Sequence, residues 1–306
     1  MKASRAAFLF LLCFEIALCA GRAAAADENV GEQLQSQYLN KVLTLRHFYE
    51  GDHLSFAPDG SLINAGQIGP WTVSGQVFVK SVELRPHSLQ IEGRRVCLVF
   101  DYKTKSLIDA QDYLESALRA QDMAKRKKKD RGKGETLGWD KMMDNFRNRN
   151  VEIEIAMAAE SASVQEASTA LNAVFLRPEE SLADIVPDFW QDYLDRIEGR
   201  PPRVRQTADV EYRVTPGVVS PPRVIYSPEP EFSQDARMTK FQGQVTLSVV
   251  VDASGRTTEI QIVSPLGMGL DEKAVDAVRN WTFQPARKGG KPVSVKIAIE
   301  VDFHLN

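Results

Sequence analysis

Toward its end the chain alternates without a fault, with Val293, Val295, Ile297, Ile299, Val301, Phe303 and Leu305 set against Ser294, Lys296, Ala298, Glu300, Asp302 and His304. A period of two marks a strand with one covered face. Burying one such apolar side chain is worth roughly 1.5–3 kcal/mol, and a slip of one residue would turn Lys296, Glu300 and Asp302 inward. The pattern therefore predicts a strand over 293–303 with a strongly specified register.

Upstream, Val245, Leu247, Val249 and Val251 repeat the alternation, Asp252 and Gly255 supply a turn, and Ile260 and Ile262 begin a return strand. This is a β-hairpin. In GLDEKAVDAVRNWTFQP the spacing becomes helical, with Leu270, Ala274, Ala277, Val278 and Trp281 on one face. Asp271 and Glu272 suit the first turn, Arg279 the last, and Pro285 prevents the helix resuming. The order strand, strand, helix, strand lets the last strand lie antiparallel beside the first, in a sheet ordered third, first, second. The closing strand is then an edge, and its outward backbone groups lack a partner within the chain.

Residues 27–200 predict a strand-rich domain with packed helices. A helical stretch over 31–43 precedes HLSFAPDGSLI, in which Pro58-Asp59-Gly60 turns a hairpin, and then VFVKSVEL and SLQIEGRRVCLVF separated by Pro86 and His87. With VEIEIAM as one more strand, these form a small, curled antiparallel sheet. Leu107, Ala110, Leu114, Ala117 and Leu118 keep helical spacing into the basic run Lys125 to Lys129, which reads as a solvated helix end. A small helical turn follows around Trp139, Met142, Met143 and Phe146. Two helices close the domain; Leu182, Ile185, Val186, Phe189, Trp190, Tyr193, Leu194 and Ile197 mark one stripe, with Pro187 as a kink or as the first residue of a fresh helix. The fold class is α+β, with a small C-terminal β-β-α-β module carrying a three-stranded antiparallel sheet.

Composition adds the divisions. Seven of the 15 prolines fall between Pro201 and Pro230, which favours an extended spacer, part of which its valines and tyrosines suggest packs on a neighbour, and divides the chain into 27–200, a proline-rich linker over 201–230, and a module over 231–306. At 306 residues, 43% hydrophobic and 26% charged, the chain is of a globular type with room for about two domains. Residues 1–26 stand apart: Lys2 and Arg5 precede an apolar run from Ala6 to Ala20, interrupted by Glu15, and Ala24-Ala25-Ala26 offers a cleavage site before Asp27. This reads as a signal peptide for export to the periplasm; the alternative is an uncleaved inner-membrane anchor, for which the run falls short of the roughly 20 residues a span needs. Membrane contact is expected only if that segment stays attached.

Cleavage removes Cys13 and Cys19 and leaves Cys97 alone, so no internal disulfide is expected. It also removes Lys2, Arg5 and Arg22 against Glu15, taking the formal charge from -3 to -5, which argues against nucleic acid as a partner. His47, His53, His87 and His304 show no metal-ligand spacing, and no nucleophile elbow or phosphate-cradling loop occurs. Neither a catalytic site, a metal nor a cofactor is expected.

The stretch EPEFSQDARMTKFQGQVTLSVVVDASGRTTEIQIVSPLGMGLDEKAVDAVRNWTFQPARKGGKPVSVKIAIEVDFHL resembles the C-terminal domain of the TonB family, periplasmic ends of energy transducers that engage outer-membrane receptors. The resemblance covers residues 222–305 and rests on Phe232 and Ser233 of the lead-in, Gly243, Asp252 and Gly255 of the turn, Leu270 and Asp271 at the helix start, and Trp281, Phe283 and Pro285. It implies that a receptor's TonB box adds as a strand beside Val293–Phe303, with Val293, Val295, Lys296, Ile297, Ala298, Ile299, Glu300 and Asp302 in contact and Phe232 and Ser233 contributing. The lead-in Glu229-Pro230-Glu231-Phe232-Ser233 departs from the Gln-Pro-Gln-Tyr-Pro common in motor-coupled members, and residues 6–20 hold no histidine. A chain whose signal is cleaved is therefore not itself an energy transducer. Three roles stay open: a periplasmic binding protein acting by strand addition in TonB-dependent transmembrane transport, a membrane-anchored transducer, and an assembly element pairing edge to edge into a homodimer.

Overall fold

In the computed structural model, which describes residues 30–117, 119, 143–158, 162–203 and 212–305, the alternating runs form strands and the longer periods form helices. The signal over 1–26, the run Lys125–Lys129, Leu118, Trp139 and Met142 lie outside the described residues. The first half comprises α1 (residues 30–38), β1 (Val42–Thr44), β2 (His53–Phe56), α2 (Trp71–Ser74), β3 (Gln76–Arg85), β4 (Ser88–Val96), β5 (Leu98–Asp101), β6 (Ser106–Asp109), α3 (residues 110–117), α4 (residues 143–147) and β7 (Asn150–Ala156). The second comprises α5 (Val164–Val174), α6 (Asp188–Ile197), β8 (Val219–Ser220), β9 (Arg223–Tyr226), α7 (Gln234–Thr239), β10 (Gly243–Val251), β11 (Thr257–Ser264), α8 (Leu270–Arg279), β12 (Thr282–Gln284), β13 (Ala286–Lys288), β14 (Lys291–Val293) and β15 (Val295–Phe303).

Packing groups these elements into two units that do not follow chain order. Among the described residues, the first takes those up to Ile68 together with those of Gln76–Arg95 and Arg149–Arg177; the second takes those of Gly69–Gly75, Val96–Asn148 and Pro178–Asn306. Elements of the segment 27–200 therefore fall in both.

The first unit is a five-stranded sheet ordered β1-β3-β4-β7-β2. The expected turn forms at Pro58-Asp59-Gly60, where Ala57 N–H donates to Ser61 and Ile63 N–H to Ser55. The sheet is not wholly antiparallel as expected, because β2 pairs parallel with β7. No tight turn joins these strands, so the hairpin geometry that imposes antiparallel pairing does not apply. Leu54, Phe56, Val79, Leu89, Ile91, Ile153 and Ile155 share a core with Ala170, Leu171 and Val174 of α5. A capping box of Ser163 and Glu166 starts α5, satisfying N–H groups that the first turn leaves unpaired.

The second unit contains the sheet β11-β10-β15, the order expected from the sequence. Helix α8 covers it with Ala274, Val275, Ala277 and Val278 buried. Leu107 departs from expectation: it lies in β6, paired with Phe100 of β5, because the apolar pattern of Ser106–Asp109 suits a short hairpin before helical spacing takes over. Pro187 takes the position just before α6, the fresh-helix alternative. The proline-rich tract is not a free spacer in its described part, since β8 pairs with β13 and β9 with β12.

The loop ahead of α8 is clamped from several directions. Gly267, Met268 and Gly269 all have positive φ. Phe100 N–H donates to Leu266 O and Met268 N–H to Leu98 O, while Gly269 N–H donates to Thr72 Oγ1 at 3.1 Å. Asp271, buried, reaches back to accept from Leu266 and Gly267 N–H, both at 2.8 Å. Trp190, buried on α6, donates to Glu272 Oε1 at 2.9 Å and meets Trp71 edge to face. Glu272 Oε2 is enclosed with no partner among the described residues. Burial raises the pKa of both carboxyls, and for Glu272 the neighbouring Asp271 charge raises it further. A neutral Glu272 keeps the Trp190 bond without leaving an unsolvated anion beside Asp271.

Two outcomes follow for stability. A Cβ at Gly255 would lie 1.9 Å from Phe283 O at φ +85, whereas one at Gly289, φ +55, meets nothing within 4 Å. Gly255→Ala is expected to cost about 3 kcal/mol or more and Gly289→Ala about 1–2 kcal/mol in urea unfolding, the difference being steric. Carboxyls with a raised folded-state pKa make the folded chain bind more protons than the unfolded one, so stability falls as pH rises from about 4.5 through neutrality. Carboxylates held low by cationic partners, such as Asp184 beside Arg200 and Arg203, titrate below that window. Glu272→Gln keeps the acceptor for Trp190 and removes the titration; its denaturation midpoint is expected to change less between pH 5 and 8, with a gain over the parent at pH 8 on the order of 1 kcal/mol.

Candidate functional site

β15 is the terminal strand of its sheet, and its pairing with β10 runs unbroken from Gly243 opposite Phe303 to Val251 opposite Val295. Val295, Ile299, Val301 and Phe303 are buried and Ile297 half-buried, whereas Lys296, Ala298, Glu300 and Asp302 are exposed. That is the alternation read from the sequence. On the exposed face Gln244 Nε2 donates to Asp302 Oδ1 at 3.0 Å and to Glu300 Oε2 at 3.3 Å.

The strand begins later than the sequence pattern predicts. Val293 belongs to β14, opposite Ala286, and Ser294, expected on the polar face, is buried. The chain changes partner between these residues, leaving β13 for β10, and the alternation breaks where the backbone makes that change.

The two edges of the sheet differ. Helix α6 packs along β11, and Arg196 Nη2 donates to Val263 O at 2.9 Å. The outer side of β15 is reached by the described chain at its first residue: Tyr212 forms an isolated parallel bridge with Val295, and its N–H donates to Ser294 O at 2.8 Å. The Tyr212 ring lies under Lys288, whose Nζ is 4.2 Å from the ring centroid. A parallel bridge engages the backbone groups of the residues on either side of the bridged one, so Ser294 and Lys296 face outward. Strand alternation then directs the amides and carbonyls of Lys296, Ala298, Glu300 and Asp302 away from β10. Among the described residues no strand pairs along this length.

Phe232 meets Phe303 edge to face, centroids 5.4 Å apart, at the far end of β15. Ser233 is buried as the cap of α7: its hydroxyl accepts from Ala236 N–H and donates to Met268 O at 2.6 Å. The motif residues are framework. Asp252 Oδ1 accepts from Ser254 and Arg256 N–H in the hairpin turn, a Cβ at Gly243 would meet Leu266, and Leu270 opens α8 with Asp271 behind it. Phe283 is buried beside Pro285, and Trp281 Nε1 donates to Pro228 O at 3.2 Å. Tyr212 and Lys288 were not singled out from the sequence; the alternation of Val210, Tyr212 and Val214 carries the strand signal, masked by the prolines around it.

Residues 228–305 match the model of the family described as Gram-negative bacterial TonB protein C-terminal. Protein tonB2 of Pseudomonas aeruginosa is 39% identical over 83 residues, 27% of this chain and 31% of that protein. Protein TonB of Vibrio cholerae is 30% identical over 97 residues, 29% of this chain and 40% of that protein, and Protein TonB of Escherichia coli is 31% identical over 90 residues, 29% and 36% respectively. The chain thus spans between about a third and two fifths of the length of these relatives. The solution NMR structure of Pseudomonas aeruginosa TonB CTD matches 31% of this chain and 94% of that one, with 18% identity and a TM-score of 0.25.

The Phe232 contact yields a test of its role. Phe232→Ala is expected to lower unfolding stability by about 1–3 kcal/mol, because it uncovers Phe303. A variant with unchanged stability and weakened partner capture would assign Phe232 to recognition instead.

Proposed function

We propose, from the TonB-family C-terminal domain carried at residues 228–305, that this chain is a periplasmic protein that captures an extended segment of another envelope protein on the outer side of β15. An outer-membrane receptor of TonB-dependent transport is the partner this reading favours. The observation that carries it is the terminal position of β15, with the groups of Lys296, Ala298, Glu300 and Asp302 directed outward while α6 lies along the opposite edge strand. In strand addition, main-chain hydrogen bonds supply affinity and alternate side chains supply selection. Lys296, Glu300 and Asp302 are charged, so capture weakens as salt is raised. The N-terminal segment acts in this reading as an export signal, and the unit formed around β1–β4 and β7 is a companion domain.

Proline at an outward-facing edge position removes a donor without breaking the pairing with β10. Ala298→Pro in the full chain is expected to abolish capture of envelope proteins while circular dichroism and the unfolding midpoint stay near those of the parent. Retained capture by the folded variant would refute strand addition here, and sedimentation showing a concentration-dependent dimer that the substitution disperses would favour self-pairing instead.

A further inference from the structure

Tyr212 stands where a guest strand would begin. Its backbone runs parallel to β15 at Val295, its N–H is bonded to Ser294 O at 2.8 Å, and its ring lies 4.2 Å from Lys288 Nζ. The ring contact places an aromatic group against a cation at the margin of the edge, an attraction that adds to the backbone bond. β13 and β14 hold Lys288 in place, since Lys288 lies opposite both Lys291 and Val219 in their small sheet. From Thr215 the chain turns back, with Val218 and Val219 N–H bonded to Thr215 O, so the self-contact does not continue down the strand. One rung of the ladder is thus occupied internally, between Ser294 and Lys296, and the next outward residue, Ala298, is exposed.

Resting on the strand-addition reading, we infer that Tyr212 is an internal occupant of the guest site: it holds the first rung of β15, and the site takes an extended segment that runs parallel to β15 and brings an aromatic side chain under Lys288. A guest engaging the whole edge displaces Tyr212. A guest without the aromatic engages only the length beyond Val295 and leaves Tyr212 in place. The chain thereby raises the threshold for weak or mismatched segments.

The test uses the full chain and two synthetic peptides, Val-Glu-Tyr-Arg-Val-Thr, copied from residues 210–215, and the same peptide with alanine in place of tyrosine. Affinity is read from amide chemical shifts and hydrogen exchange along β15, in the parent and in Tyr212→Pro, which lacks both the donor and the ring. The tyrosine peptide is expected to bind Tyr212→Pro about tenfold tighter than the parent, protecting the Lys296 and Ala298 amides, with Lys288→Ala cancelling its advantage over the alanine peptide. Equal affinity for parent and Tyr212→Pro, with protection on β15 in both, overturns the internal occupant and leaves strand addition standing. Absence of any peptide-induced protection on β15 in either chain overturns both. Equal binding of the two peptides to Tyr212→Pro overturns the aromatic position.

Discussion

The apolar face of β15 has one place to go, into the core that it shares with β10, and from that constraint the outer face of the sheet follows. Once Val295, Ile299, Val301 and Phe303 turn inward opposite Val251, Leu247, Val245 and Gly243, the register with β10 is set. A register set by burial also decides which amides look outward. The edge chemistry is therefore a by-product of core packing: Lys296, Ala298, Glu300 and Asp302 present their backbone groups because their neighbours cannot leave the core.

Local patterns were readable wherever one stretch of chain decides its own structure. The alternation in β10 and β15, the turn at Asp252 and Gly255, and the helical spacing of α8 each specify an element without outside help. Longer-range choices were not so readable. Nothing in His53–Phe56 says that its neighbour is Asn150–Ala156 in parallel, and nothing in Ser294 says that the chain changes partner there. Asp271 and Glu272 look like ordinary first-turn acids, suited to the helix dipole. Their actual roles depend on β5, α2 and α6, which meet them only in the folded unit, where Asp271 bonds the preceding loop and Glu272 accepts from Trp190. The candidate edge was visible in the sequence, but the place of Tyr212 was not, because the valines and tyrosines of the proline-rich tract suggest packing without saying which neighbour each one meets.

Asymmetry between the two edges of the β11-β10-β15 sheet is the other organising feature. An uncovered sheet edge is a liability, and chains commonly cover one with a helix or blunt it with charge. Here α6 accompanies β11, and charged side chains line the open face of β15. Short pairing and flanking proline restrict β9, whose Val224, Ile225 and Tyr226 are exposed between Pro222 and Pro228. Within the β11-β10-β15 sheet the length available for a guest is thereby concentrated on one strand.

Discontinuity of the second unit bears on the order of assembly. Trp71, Leu98 and Trp190 lie far upstream of the loop and helix that meet them, Leu266 to Glu272; Glu272 is 82 residues beyond Trp190, the last of the three. Closure of such distant loops is slow, so apolar surface on the folding chain stays uncovered until these segments meet. Trp71 on α2 and Trp190 on α6, buried in the folded unit, are therefore surfaces that the chain holds open longest while it folds.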